Sequence, residues 1–107
     1  MLLMPIRSTL VDDPAYAELV SEFVANIPVR VHSIRQSMDR NDAKQLCTLV
    51  HQLKGACGSY GFHEITPLAS AIEDQIALGT EVSSWIPAIE LLVATCLRMT
   101  ADRVERL

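Results

Sequence analysis

The fold of this chain is decided by the stretch HQLKGACGSYG, residues 51–61. Apolar residues recur at helical spacing through it and just before it, which predicts an α-helix. At about 100° per residue, the apolar positions lie within roughly 60° of Leu46, a stripe wide enough to face a core. His51, Gly55 and Gly58 fall away from this stripe. The pattern therefore predicts a helix with an exposed histidine and two glycines beside it.

The two glycines need a reason, because each costs a helix about 0.5–1 kcal/mol relative to alanine. Next to one imidazole, they predict a cleared space into which a partner or a phosphoryl group can come. Lys54, one turn from His51, supplies a cation that could sit beside an anion carried on the ring. The alternative is a surface histidine without a role.

Composition indicates one small globular domain. The chain has 107 residues, half of them hydrophobic and 5% aromatic, so an aliphatic core is expected. A net charge of −4 without a basic run argues against nucleic-acid binding. Three cysteines without C-x-x-C spacing favour reduced thiols in the cytoplasm. The apolar first six residues are too short to span a bilayer and lack a cleavage site, so neither membrane insertion nor secretion is expected.

The first long helix is predicted to begin at Asp13, which can cap it, with Pro14 at the first helical position. Its apolar stripe continues through Pro28, so one kinked helix is expected rather than two helices with a loop. Asn41 and Asp42 end this helix and offer a cap for the next one.

Three further helices are predicted. The second covers residues 43–60 and stops at Gly61. The third covers residues 64–78, and the fourth begins near Ser83 or Ser84, with Met99 and Thr100 on its inward stripe. No strand-like alternation is visible. The expected fold class is therefore all-α: an up-down-up-down four-helix bundle with a kinked first long helix and a short N-terminal arm. A single domain is expected over residues 1–107, with the arm at 1–12 and the bundle at 13–107.

The motif His-x-Leu-Lys-Gly starts at His51, and Gly61 follows its glycine six residues later. This motif resembles the signature of the histidine phosphotransfer (HPt) domain. The similarity covers roughly residues 8–97, with weaker matches on both sides of the motif.

The resemblance implies that His51 accepts a phosphoryl group from a receiver-domain aspartate and passes it to another. It implies a charge-neutralising role for Lys54 and steric clearance at Gly55. Glu73 matches the position where the family carries Gln or Glu, and this residue would orient the His51 ring through Nδ1. Two alternatives stay open: Gln75 orients the ring, or Glu73 is only a solvated side chain. The receiver would supply Mg²⁺, so no cofactor of the chain's own is expected.

A docking surface is expected around His51 on the first two helices, with Lys44, Cys47 and Gly58 as members. Gly58 could equally allow close approach of a neighbouring helix. Cys47 and His51 together provide at most half a zinc site, so no metal site is expected.

The expected function is that of a phosphorelay intermediate rather than an enzyme, and the chain contains no glycine-rich nucleotide motif. Its partners would be response-regulator receiver domains and a histidine kinase or hybrid kinase, and we expect a monomer. Two alternatives stay open: the phosphoacceptor domain of a larger histidine kinase, and a four-helix interaction module that is never phosphorylated.

Overall fold

The computed structural model describes residues 4–102. This part of the chain folds into four α-helices: α1 (Ala17–Asp39), α2 (Ala43–Ser59), α3 (Ile65–Ala77) and α4 (Ile86–Cys96). Helix α2 packs against α1 and α3, and α4 packs closely against α3 and loosely against α1. The predicted all-α four-helix bundle is confirmed. The first three residues of the predicted arm and the predicted bundle beyond residue 102 lie outside the described residues.

The core is aliphatic, as the low aromatic content predicts. Each helix buries one stripe of side chains, and the burial of these stripes is the main force that holds the bundle together. Trp85 is buried, and its indole Nε1 donates a hydrogen bond to Thr80 Oγ1 at 2.6 Å. Within residues 4–102, no helix is both long and apolar enough to cross a bilayer.

Helix α1 runs without interruption through Pro28, which confirms one helix rather than two. Its predicted start at Asp13 is wrong, because the helix begins at Ala17. The Asp13 carboxylate accepts a hydrogen bond from the backbone N–H of Ala15 at 3.0 Å, so it closes a separate turn ahead of the helix. The bend at Pro28 stays a prediction.

Both ends of α2 follow their sequence signals. The Asp42 side chain caps the helix by accepting from the backbone N–H of Gln45 at 3.0 Å. At the other end Gly61 adopts φ +82°, and the N–H of Phe62 donates to the carbonyl of Cys57 at 2.8 Å. This is the Schellman ending, in which a left-handed glycine lets the chain turn back and bury the next side chain.

The fourth helix is shorter than predicted. A 3₁₀ turn over Val82–Trp85 precedes α4, and the helix ends at Cys96. Met99 and Thr100, expected on its inward stripe, instead form a strand, β2 (Met99–Thr100), that pairs in parallel with β1 (Ile6–Arg7). The expectation of no strand is therefore wrong. The side chain of Met99 is buried as its apolar character suggests, but it is buried in a strand rather than in a helix.

The N-terminal arm packs over the end of α2. The Ser8 hydroxyl donates to the carbonyl of Tyr60, and the N–H of Thr9 donates to the carbonyl of Gly61 at 3.0 Å. A Cβ on Gly61 would lie 2.6 Å from Thr9 Oγ1, so a glycine is needed here for space as well as for its backbone conformation. The arm thereby fixes the loop that joins α2 to α3.

Candidate functional site

His51 lies on the solvent side of α2, and its side chain is 71% exposed. The opposite side of the helix carries the core stripe, where Leu46, Val50, Leu53 and Cys57 are buried. The helical phase that buries this stripe therefore turns the imidazole outward. A mid-bundle histidine in this position is accessible to a partner protein.

Glu73 on α3 contacts the ring. Its Oε2 lies 3.4 Å from His51 Nδ1, within reach of a long hydrogen bond. If Nδ1 carries the proton and donates it to this carboxylate, the lone pair is on Nε2. Gln75, the alternative from the sequence, is exposed, and its backbone carbonyl accepts from Thr80 Oγ1. The structure therefore brings Glu73 to the ring.

Lys54 contacts the same carboxylate. Its Nζ lies 3.2 Å from Glu73 Oε1, an oxygen that is shielded from water. From the sequence, Lys54 was expected only as a cation that could sit beside an anion on the His51 ring, so this pair was not predicted. Helical phase alone could not have found the pair, because it gives the direction of Lys54 but does not say which helix lies beside it.

The contacts of Glu73 set its charge state. Burial alone would raise the pKa of the Glu73 carboxyl, but the hydrogen bonds and charges of Lys54 and His51 outweigh this and lower it below its ordinary value. The group is therefore a carboxylate at neutral pH. The carboxylate of Glu73 thus contacts two basic side chains of α2, those of His51 and Lys54.

Gly55 and Gly58 lie about one and two turns beyond His51 on α2, with open space where a side chain would be. A Cβ on either glycine would meet nothing within 4 Å outside the local helix backbone. Neither residue is thus needed for close packing of the chain on itself, in contrast to Gly61. For Gly58 this weakens the alternative that it allows a neighbouring helix to approach.

The remaining predicted docking residues lie on the same side of α2. Lys44 is exposed two turns before His51, and Cys47 is partly exposed one turn before it. Within residues 4–102, the hydrogen bond or ion pair that His51 makes with another helix is to α3, through Glu73. Helix α3 thus contributes Glu73 beside the ring, and the docking surface expected on the first two helices stays a prediction.

The other two cysteines belong to the core. Burial raises the pKa of Cys57 to about 12, with the neighbouring Cys96 adding to the rise and Arg30 opposing it. Burial also raises the pKa of Cys96 to about 11. Both thiols therefore stay protonated and unreactive. In residues 4–102, no three side chains of His, Cys, Asp or Glu lie close enough together to hold a metal ion.

Comparison with known proteins gives one match. The family model described as Hpt domain matches residues 18–106, nearly the whole chain. No curated protein and no solved structure shows significant similarity to the chain. An exposed histidine on the second helix of a four-helix bundle, together with this match, shows that the chain belongs to the Hpt family, whose members carry phosphoryl groups in His–Asp phosphorelays.

Proposed function

We propose that this chain is a phosphorelay intermediate in which Nε2 of His51 takes a phosphoryl group from a receiver-domain aspartate and returns it to another. The observation that carries the proposal is the contact between Nδ1 and Glu73, at 3.4 Å, beneath a ring that is largely exposed. This contact supports a fixed ring with Nε2 free to react. The chain acts as a carrier, and the receiver completes the chemistry.

The transfer step needs no proton to be removed. The Nε2 lone pair forms a bond to phosphorus while the bond from phosphorus to the aspartate oxygen breaks, and its electrons leave on the aspartate carboxylate. Because Nδ1 keeps its proton, the phosphorylated ring gains positive charge. The Glu73 carboxylate lies where it can stabilise that charge, which an uncharged partner would do less well.

Lys54 and the two glycines support the approach of the phosphoryl group. The ammonium of Lys54, one turn from His51, can offset the negative charge of the phosphoryl oxygens. The bare backbone at Gly55 and Gly58 leaves room for the receiver's acidic pocket to come within bonding distance of Nε2. Lys44 and Cys47 would lie at the edge of the same contact.

Mg²⁺ is proposed to come from the receiver domain. The Glu73 carboxylate beside His51 is already engaged by Lys54 and by the ring, which leaves it poorly suited to bind magnesium. We further propose a cytoplasmic location, in keeping with three free cysteines.

Incubation with a ³²P-phosphorylated receiver domain and Mg²⁺ tests the proposal. We expect acid-labile, base-stable label on the wild type and none on His51→Gln. His32→Gln and His63→Gln are matched controls, since both histidines are exposed, and they should take up label normally. Label that survives in His51→Gln would contradict the assignment.

The same assay separates the alternatives. A wild type that takes up no label from any receiver would favour a non-phosphorylated interaction module. Label that comes only from a histidine kinase's catalytic domain with ATP, and never from a receiver, would favour the phosphoacceptor domain of a kinase.

A further inference from the structure

Glu73 bridges two side chains of α2 with its two carboxylate oxygens. Oε2 lies 3.4 Å from His51 Nδ1, and Oε1 lies 3.2 Å from Lys54 Nζ. His51 and Lys54 are one helical turn apart, a spacing that places both on the same side of α2. A carboxylate that is held at both oxygens cannot rotate about its terminal bond without losing one contact. The direction of Oε2 towards the ring therefore depends on Lys54 as well as on His51.

The contact with the ring is too weak to hold Glu73 by itself. It is a long hydrogen bond, and the His51 side chain is 71% exposed, so water competes for Nδ1. Fixing a glutamate also costs the rotamer freedom of its side-chain bonds. The contact with Lys54 is shorter and better shielded, since 31% of the Lys54 side chain and 23% of the Glu73 side chain are exposed. The ion pair is thus the stronger of the two contacts.

The burial of Oε1 creates a need for a cation at this position. Oε1 is shielded from water, and Lys54 is the cation that contacts it. A charged oxygen that has neither water nor a partner is strongly destabilised. Without Lys54, the carboxylate would turn Oε1 outward to water, and the same rotation would carry Oε2 away from Nδ1. The ring would then be free to hold its proton on Nε2, where the lone pair is needed for attack.

We propose that Lys54 is a positioning residue that acts on His51 through Glu73, by fixing the carboxylate so that Nδ1 keeps the proton and Nε2 keeps the lone pair. This inference rests on the proposed function, in which Nε2 is the attacking nitrogen. It gives Lys54 a role before any phosphoryl group arrives, in addition to the later neutralisation of the phosphoryl oxygens. The lowered pKa of Glu73 is in keeping with this role, because the carboxylate stays charged at neutral pH.

The ring proton can be located by ¹⁵N NMR of the unphosphorylated protein, at a pH where the imidazoles are neutral. Protonated and unprotonated ring nitrogens have distinct chemical shifts. We expect the wild type to carry the proton on Nδ1 of His51, and Lys54→Met to move it towards Nε2. His32 and His63 are exposed internal references whose spectra should not change. Because the sample contains no phosphoryl group, a purely neutralising lysine would leave the spectrum of His51 unchanged.

Two further variants serve as matched controls. Lys44→Met removes the same charge from α2 about two turns before His51, and the ion pairs of Glu73 in residues 4–102 are with His51 and Lys54 only. It should therefore keep the wild-type position of the proton. Lys54→Arg keeps the charge and should do the same. An unchanged proton in Lys54→Met would overturn the proposal. A larger Nδ1–H fraction would also overturn it, since Lys54 would then compete with the ring for the carboxylate.

The rate of phosphoryl uptake supplies an independent test. Lys54→Met should slow ³²P uptake from a receiver domain about tenfold when Glu73 is present, and clearly less in a Glu73→Ala background, because its effect passes through the carboxylate. A lysine that only neutralises the phosphoryl group would slow uptake by the same factor in both backgrounds. Equal factors would therefore overturn the positioning role.

Failure of this inference and failure of the proposed function give different results. A wild type that takes up label, with a ring proton that does not respond to Lys54→Met, contradicts the positioning role alone. A wild type that takes up no label contradicts the proposed function, while the NMR spectra still report whether Lys54 fixes the ring.

Discussion

Lys54 Nζ lies 3.2 Å from Oε1 of Glu73, on the carboxylate whose other oxygen faces Nδ1 of His51. The lysine and the histidine are therefore joined through one side chain from the neighbouring helix. Because Oε1 is shielded from water, the ammonium of Lys54 compensates its charge. A change at Glu73 thus acts on the ring and on the lysine together.

Glu73→Gln should slow phosphoryl uptake while leaving His51 exposed. The amide can still accept a hydrogen bond from Nδ1, but it lacks the negative charge that we propose stabilises the phosphorylated ring. We expect a slowing of about three- to tenfold, which corresponds to roughly 1 kcal/mol at this long contact. Rapid-quench measurement of ³²P transfer from a receiver gives the rate. Asp74→Asn, which removes the same charge from the next residue, should transfer at the wild-type rate, and equal rates for both variants would contradict the role of Glu73.

The free energy of unfolding should depend on pH through Glu73. The pKa of this carboxyl is lowered in the folded state from its ordinary 4.5, because Lys54 and His51 outweigh the effect of burial. A carboxyl with a lowered folded pKa stabilises the protein above its unfolded pKa, and that stabilisation is lost as pH falls through the folded value. Urea unfolding should therefore show a stability gap between wild type and Glu73→Gln at pH 7 that shrinks below pH 4.5.

Lys54→Met supplies the control for this pH dependence. This substitution removes a contact that lowers the pKa of Glu73. When both proteins also carry Lys54→Met, the pH-dependent part of the stability difference between the Glu73 chain and the Glu73→Gln chain should therefore become smaller. A gap of unchanged size and pH dependence would show that the ion pair has no influence on the carboxylate.

Gly55→Ala should make the protein more stable and less active. The added Cβ meets nothing within 4 Å, and alanine is favoured over glycine in a helix by about 0.5–1 kcal/mol. The same methyl group occupies space that an incoming aspartyl phosphate needs, so transfer should slow. Thermal unfolding and ³²P transfer give the two quantities, and faster or unchanged transfer would argue against steric clearance at this position.

Gly61→Ala should have the opposite effect on stability. The left-handed backbone at φ +82° alone costs an alanine about 1–2 kcal/mol, and its Cβ would press against Thr9 Oγ1 and Ser8 Oγ. We expect a clear fall in the melting temperature. Because Gly61 lies more than two helical turns beyond His51, the transfer rate of the folded fraction should change little. A stable variant would show that the arm does not fix this loop.

Thiol labelling of the native protein should modify Cys47 first. Cys57 and Cys96 are buried, and burial raises their pKa values to about 12 and about 11, so they should react only on unfolding. Maleimide labelling followed by mass spectrometry locates the adduct. A bulky adduct on Cys47, one turn from His51, should block transfer, whereas Cys47→Ser treated in the same way should stay active.

The sequence allowed much of the fold to be predicted because its signals are local. Asp42 and Gly61 bound α2, and the apolar stripe of this helix gave the outward direction of His51 without knowledge of any neighbour. The predictions failed where contacts between distant parts of the chain determine the local structure. Asp13 looks like a helix cap but closes a turn, and Met99 continues a helical pattern but pairs in a strand with residues at the far end of the chain.

In the candidate site, too, the features within one helix were predicted and those that depend on a second helix were not. His51, Lys54 and Gly55 share one helix, so their spacing alone brings them together. The ion pair between Lys54 and Glu73 depends on how α3 sits against α2, which periodicity within one helix does not contain.

The parallel pairing of Ile6–Arg7 with Met99–Thr100 has a mechanical consequence. Tension applied through the segments that precede β1 and follow β2 pulls two parallel strands in opposite directions along their length. Their hydrogen bonds are then loaded together in shear, whereas an antiparallel pair pulled in this way would open one bond at a time. The parallel pair should therefore resist such tension better than an antiparallel pair of the same length.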